Sequence, residues 1–184
     1  MTAILGINAY HADSSACLLL DGVLVAAAEE ERFKRVKHWA GLPIAAIRYC
    51  LRESGLSLKD LSILAINSDP RANFIRKTLY TLAHRPGGRL LRDRLKSRAS
   101  RRAIPERIAD ALQDSGFDGE VHFVEHHLAH LASAFYSSPF HRALALSVDA
   151  FGDFASTAWG LGEGDRIAID GKVYFPHSLG IFYE

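Results

Sequence analysis

The residues with the clearest capacity for chemistry are His126 and His130, in the stretch Val124-Glu125-His126-His127-Leu128-Ala129-His130. Histidines four positions apart share one face of a helix. Both imidazoles can therefore reach a single metal ion if a carboxylate arrives from a neighbouring strand. Ordinary helix faces also carry such pairs, so spacing alone leaves a structural reading open. The residue after His126 is a second histidine rather than the glutamate of a zinc protease, which disfavours that reaction class. His127 itself points about a hundred degrees away from the pair and reads as structural.

A second candidate is Asp149-Ala150-Phe151-Gly152-Asp153, which joins an apolar run to the next strand. Exposed amides and a glycine at such a junction can approach a phosphate closely, although a tight structural turn accounts for the same residues. His11 and Asp13 follow the first apolar run. A lone loop histidine is ordinarily surface decoration, but its unperturbed pKa suits proton transfer near neutrality. Glu29, Glu30, Glu31, Arg32, Lys34, Arg35 and Lys37 form a dense mixed-charge run, which by default is a solvated loop of exchangeable ion pairs.

These groups must be held by a folded scaffold. The chain has 184 residues, 48% of them hydrophobic and 23% charged, a globular composition with enough apolar surface for a core. A formal net charge of +1 gives no global argument for nucleic-acid or membrane partners. From Arg85 to Arg107 nine Arg or Lys stand against two acidic residues. With no aromatic residue there for base stacking, that stretch reads as a peripheral helical insertion with a solvated face. Cys17 and Cys50 lie in apolar runs and read as buried hydrophobes in a reducing cytoplasm. Neither a signal peptide nor a membrane span is indicated.

Residues 3–8, 15–20 and 23–29 are apolar runs, and Asp21-Gly22 between the last two predicts a type I′ hairpin. A helix is expected over about 43–54, stopped by Gly55, and a buried strand over 62–67. Helix at about 105–115, strand at 121–124 and helix at 126–137 follow. Strands are then expected at 143–149, 155–161 and about 166–174. The order β-β-β-α-β-α-β-α and then β-β-β again is a repetition begun and unfinished, in a mixed α/β layer architecture whose last ribbon needs further helices to cover it.

Five stretches in order resemble the N-terminal part of the NodU/CmcH-type carbamoyltransferases, with a Kae1-like domain. They are Gly6 to Ala16, Ala28 to His38, Glu125 to Ala134, Val148 to Asp153 and Phe175 to Glu184. The resemblance implies an actin/sugar-kinase/Hsp70-like (ribonuclease H-like) α/β fold with a nucleotide cleft between two lobes. The first lobe is expected over 1–142 with the basic insertion at about 85–107. The second begins at 143–184 and is truncated, so the remaining C-terminal portion is expected in cis or in trans.

The same resemblance implies His126, His130 and Asp149 as metal ligands, with iron favoured, although such ligands also accept zinc or manganese. Gly152, Asp153, Ser156 and Thr157 would meet nucleotide or acyl-adenylate. His11 would be the general base, and Asp13, Glu30, Arg32 and Lys37 would shape a substrate pocket. His177 and Ser178 either approach the cleft or pack the lobe junction. The implied function is O-carbamoyl transfer from carbamoyl phosphate and ATP, through carbamoyl-adenylate, to a hydroxyl of a small molecule or sugar, the isolated chain being inactive. The alternative is a non-catalytic nucleotide-binding or assembly module completed by another polypeptide. A kinase-like ATPase is disfavoured because it needs a carboxylate base and no two-histidine helix.

Overall fold

The structure, a computed structural model, describes residues 1–84, 104–114 and 116–183. In chain order the elements are β1 (Ala3–Asn8), β2 (Ser15–Leu20), β3 (Val23–Glu29), α1 (Glu31–Lys34), α2 (Ile44–Ser54), a 3-10 turn (Leu58–Asp60), β4 (Ile63–Ile66) and α3 (Phe74–His84). Then follow α4 (Ile104–Leu112), β5 (Glu120–Phe123), α5 (His126–Tyr136), β6 (Arg142–Gly152), β7 (Ala155–Glu163), β8 (Arg166–Tyr174) and α6 (Leu179–Tyr183). All but the last four residues of the basic stretch 85–107 lie outside the described residues.

Contacts divide the described residues into two compact units, the first drawn from 1–67 and 86–123, the second from 68–85 and 124–184. That grouping differs from a cut at residue 142, because α3 and α5 go with the C-terminal strands.

The first unit is a five-stranded sheet in the order β3-β2-β1-β4-β5. Strands β1, β2 and β3 form an antiparallel meander, while β4 pairs parallel to β1 and β5 parallel to β4. This mixed sheet, with one strand reversed, is of the α/β class expected from the sequence. The meander exists because Asp21 and Gly22 both take positive φ, as a two-residue type I′ turn demands, and Leu20 pairs with Val23 across it. Alternation in β1 puts Ala3, Leu5 and Ile7 into the core. There they meet Leu18, Leu64 and Ile66 from the neighbouring strands and Ile47 and Cys50 from α2. Each fully buried Leu or Ile contributes roughly 1.5–3 kcal/mol relative to exposure. The 43–54 helix forms as expected and ends at Gly55.

The second unit repeats the meander as a three-stranded antiparallel sheet, β6-β7-β8. Helix α5 packs Leu131 and Phe135 against Ala145 and Ala158 of that sheet. Strand β6 runs three residues further than the sequence pattern suggested. Helices α1, α3 and α6 were not anticipated. The first and last are too short to carry a period, and the aromatic contacts of α3 through Tyr80 to Phe154 and Phe175 are tertiary. Among the described residues no helix is long and apolar enough to cross a membrane.

Candidate metal centre

Strand β6 loses register with β7 between Val148, which pairs with Thr157, and Gly152, which pairs with Ala155. Residues 149–151 thus face a single residue, Ser156, and form a bulge. Bulges re-aim side chains, and this one carries Asp149. Helix α5 supplies the other two groups. Its start is fixed by Glu125, whose Oε2 accepts the Leu128 N–H at 3.0 Å and lies 2.9 Å from Lys172 Nζ. The His126 backbone N–H donates to Asp153 Oδ2 at 3.0 Å.

Spaced by one helical turn, the two imidazoles converge on the bulge. His126 Nε2 lies 2.7 Å from Asp149 Oδ2 and 3.1 Å from His130 Nε2, and His130 Nε2 lies 3.6 Å from the same Asp149 oxygen. One atom from each residue falls within 4.8 Å of the others. Exposure rises from 7% for the His126 side chain through 34% for Asp149 to 49% for His130, so the cluster is closed on one side and open on the other. Hydrogen bonds from His126 and then His130 hold the Asp149 carboxyl well below the usual carboxylate range, against the opposing effect of burial.

This donor set fits a divalent metal: two imidazole nitrogens and one carboxylate oxygen at an open face, the combination used by zinc, manganese and iron. Gly152 completes the cradle, since a β-carbon there would overlap the His126 ring. His127 behaves as its position predicts. It is fully buried, its Nδ1 is 2.9 Å from Ser147 Oγ, and burial pushes its pKa down.

Other predicted residues fall differently. Glu30 is not available to a substrate pocket: it is 0% exposed, and its carboxylate oxygens accept the N–H groups of Ala45 at 3.2 Å and Ala46 at 2.8 Å. It caps α2, where a carboxylate also favours the positive helix end. Ser156 is fully buried and donates to the His177 carbonyl at 2.6 Å, so its hydroxyl is spent inside the unit. The Asp153 carboxylate is likewise committed, accepting from Ser68 Oγ at 2.9 Å and Asp69 N–H at 2.8 Å besides His126.

Thr157 is buried, while Arg32 and Lys37 are exposed, with Arg32 within 3.4 Å of Glu29. In the first unit His11 sits just beyond the carboxyl end of β1, the end of a parallel strand where ligands bind in such sheets. Ser14 Oγ holds its carbonyl at 3.1 Å, and Asp13 pairs with His38 Nδ1 at 3.0 Å. Sequence reasoning missed Glu125, because glutamate lies outside the usual set of Ser, Thr, Asp and Asn helix caps.

A family model described as "Carbamoyltransferase N-terminus" matches residues 3–184. The uncharacterized protein sll1178 of Synechocystis is 38% identical over 191 residues, covering 100% of this chain and 31% of that protein. Nodulation protein NolNO of Sinorhizobium fredii is 33% identical over 182 residues, covering 96% of this chain and 25% of that protein. The chain thus spans less than a third of the length of these curated relatives. Among solved structures, YeaZ from Pseudomonas aeruginosa aligns with a TM-score of 0.48 and 18% identity, covering 96% of this chain and 68% of that one.

Proposed function

The chain belongs to the carbamoyltransferase N-terminus family, and from that premise we propose that it supplies the acyl-transfer centre of an O-carbamoyltransferase. The carrying observation is the convergence of His126, His130 and Asp149 on one point in a chain of that family. In the proposed step an acceptor hydroxyl attacks the carbamoyl carbon of carbamoyl-adenylate, the new carbon–oxygen bond forms, and the bond to AMP breaks. His11 takes the hydroxyl proton as general base. His126, His130 and Asp149 would hold a divalent metal, iron being the first choice. When bound, such an ion would supply Lewis-acid charge to offset the negative charge of the leaving group. Backbone amides at Gly152, with Thr157 nearby, are proposed to face the adenylate. Asp13 and the exposed Arg32 and Lys37 are proposed for the acceptor side. ATP and carbamoyl phosphate are the proposed sources of the adenylate, made in the portion of the longer protein outside this chain.

The test is His126→Ala in the full-length enzyme, incubated with carbamoyl phosphate, ATP and hydroxyl acceptors and analysed by mass spectrometry for one added carbamoyl group. Loss of both bound metal and product is expected; undiminished transfer would sink the assignment. The alternative reading is a nucleotide-binding or assembly module without chemistry of its own. Product formation that depends on His11 and His126 speaks against it.

A further inference from the structure

The closing stretch of the chain touches the metal ligand's backbone, a contact that the proposed chemistry leaves without a role. Ser178 Oγ donates to the carbonyls of Ala150 at 2.8 Å and Asp149 at 3.1 Å, and accepts the Ile181 N–H at 3.2 Å. Two residues on, Gly180 lies so close that a β-carbon would stand 2.5 Å from the carbonyl carbon and oxygen of Asp149 and 2.6 Å from the Ala150 nitrogen. These contacts fall within the bulge, where residues 149–151 have no register partners on β7. Backbone carbonyls outside a ladder need another donor, and the Ser178 hydroxyl is one. Asp149 Oδ1 in turn accepts the Ala150 N–H at 2.6 Å, so the peptide that Ser178 and Gly180 grip is the one that orients the carboxylate.

We propose that Ser178 and Gly180 are positioning residues for the metal centre, clamping the β6 bulge so that Asp149 points its Oδ2 at His126 and His130. The proposal rests on the metal reading above. A clamp of this kind acts on the direction of a ligand rather than on its chemistry. Outer partners of metal ligands are commonly worth tenfold or more in affinity.

The experiment titrates cobalt(II) into the metal-free full chain and records affinity and the visible ligand-field spectrum, with circular dichroism and a thermal melt alongside. Ser178→Ala should weaken cobalt binding about tenfold and shift the spectrum, while Ser178→Thr, which keeps a hydroxyl, should restore most of the affinity. Gly180→Ala should do more than Ser178→Ala. Leu179→Ala, at the 65% exposed residue between them, should bind as the parent does. Parent-like affinity and spectrum in Ser178→Ala would overturn the proposal, whatever becomes of Gly180→Ala if that variant fails to fold. Loss of affinity in Ser178→Ala that Ser178→Thr does not restore also counts against the clamp. Asp149→Ala and His126→Ala separate the two layers: if both still bind cobalt as tightly as the parent, the metal centre itself is wrong and the clamp falls with it. If both lose cobalt and the Ser178 variants do not, only the clamp is wrong.

Discussion

Gly152 lies against the imidazole of His126 so closely that no side chain fits between the strand and the ring. The glycine closes the β6 bulge at the end opposite Asp149, and its missing β-carbon is what allows a buried histidine to reach a carboxylate on the same strand. Gly152→Ala is therefore expected to push the ring aside. Metal content, measured by plasma mass spectrometry after dialysis, should fall below half that of the parent. Overpacking of this kind should also lower stability by about 1–3 kcal/mol. A variant that retains full metal occupancy would show that the ring can move without consequence.

Glu30 was expected in a substrate pocket and is a buried helix cap instead. Glu30→Ala removes the acceptor from two amides at the start of α2 and should cost about 1–3 kcal/mol in urea unfolding. Glu30→Gln should cost less because one oxygen remains. Metal occupancy should stay at the parent value in both, and a large kinetic defect without loss of stability would restore the pocket reading.

Lys172 and Glu125 form an ion pair at 2.9 Å with both side chains only 13% exposed. Removing one partner of such a pair leaves the other charge stranded, so Lys172→Met should destabilise the protein by about 3 kcal/mol. The double variant with Glu125→Gln should recover part of that loss. A double-mutant cycle in chemical denaturation checks it, and strict additivity would mean that the pair is not coupled.

The thiols give the alkaline limb. Burial, followed by repulsion from Cys17, pushes Cys50 up to about 11 from its ordinary 9.0, and burial also raises Cys17. A raised folded value favours the protonated native state. The associated stability is complete below pH 9 and is lost as the pH rises from there towards 11, because the unfolded chain ionises first. Stability profiles of the parent and Cys50→Ala should therefore converge over that range. Native protein should also resist alkylation near pH 8, with both cysteines reacting in denaturant. Rapid native labelling of Cys50 would contradict its burial.

Much of the scaffold was legible because its signals are local. The Asp21-Gly22 turn needs positive φ at two successive residues, Gly55 ends α2, and alternation in β1 marks its buried face. The two converging histidines were legible for the same reason, since a spacing of four is a property of one helix. Helix α3 was not, because its packing depends on aromatic residues some seventy positions or more away in sequence.

Residue types and short spacings thus determined that this chain is an α/β protein carrying a two-histidine helix and an aspartate at the end of a strand. Only the tertiary structure decided which polar groups stay free for chemistry. Glu30, Asp153 and Ser156 have the right types, but their oxygens are consumed by backbone amides, a serine hydroxyl or a carbonyl brought in from elsewhere in the chain. A buried polar atom must find a partner, and that partner is chosen by packing rather than by neighbours in sequence. The same condition brought Ser178 to the carbonyls of the Asp149 bulge, a contact across 29 positions that no local pattern encodes.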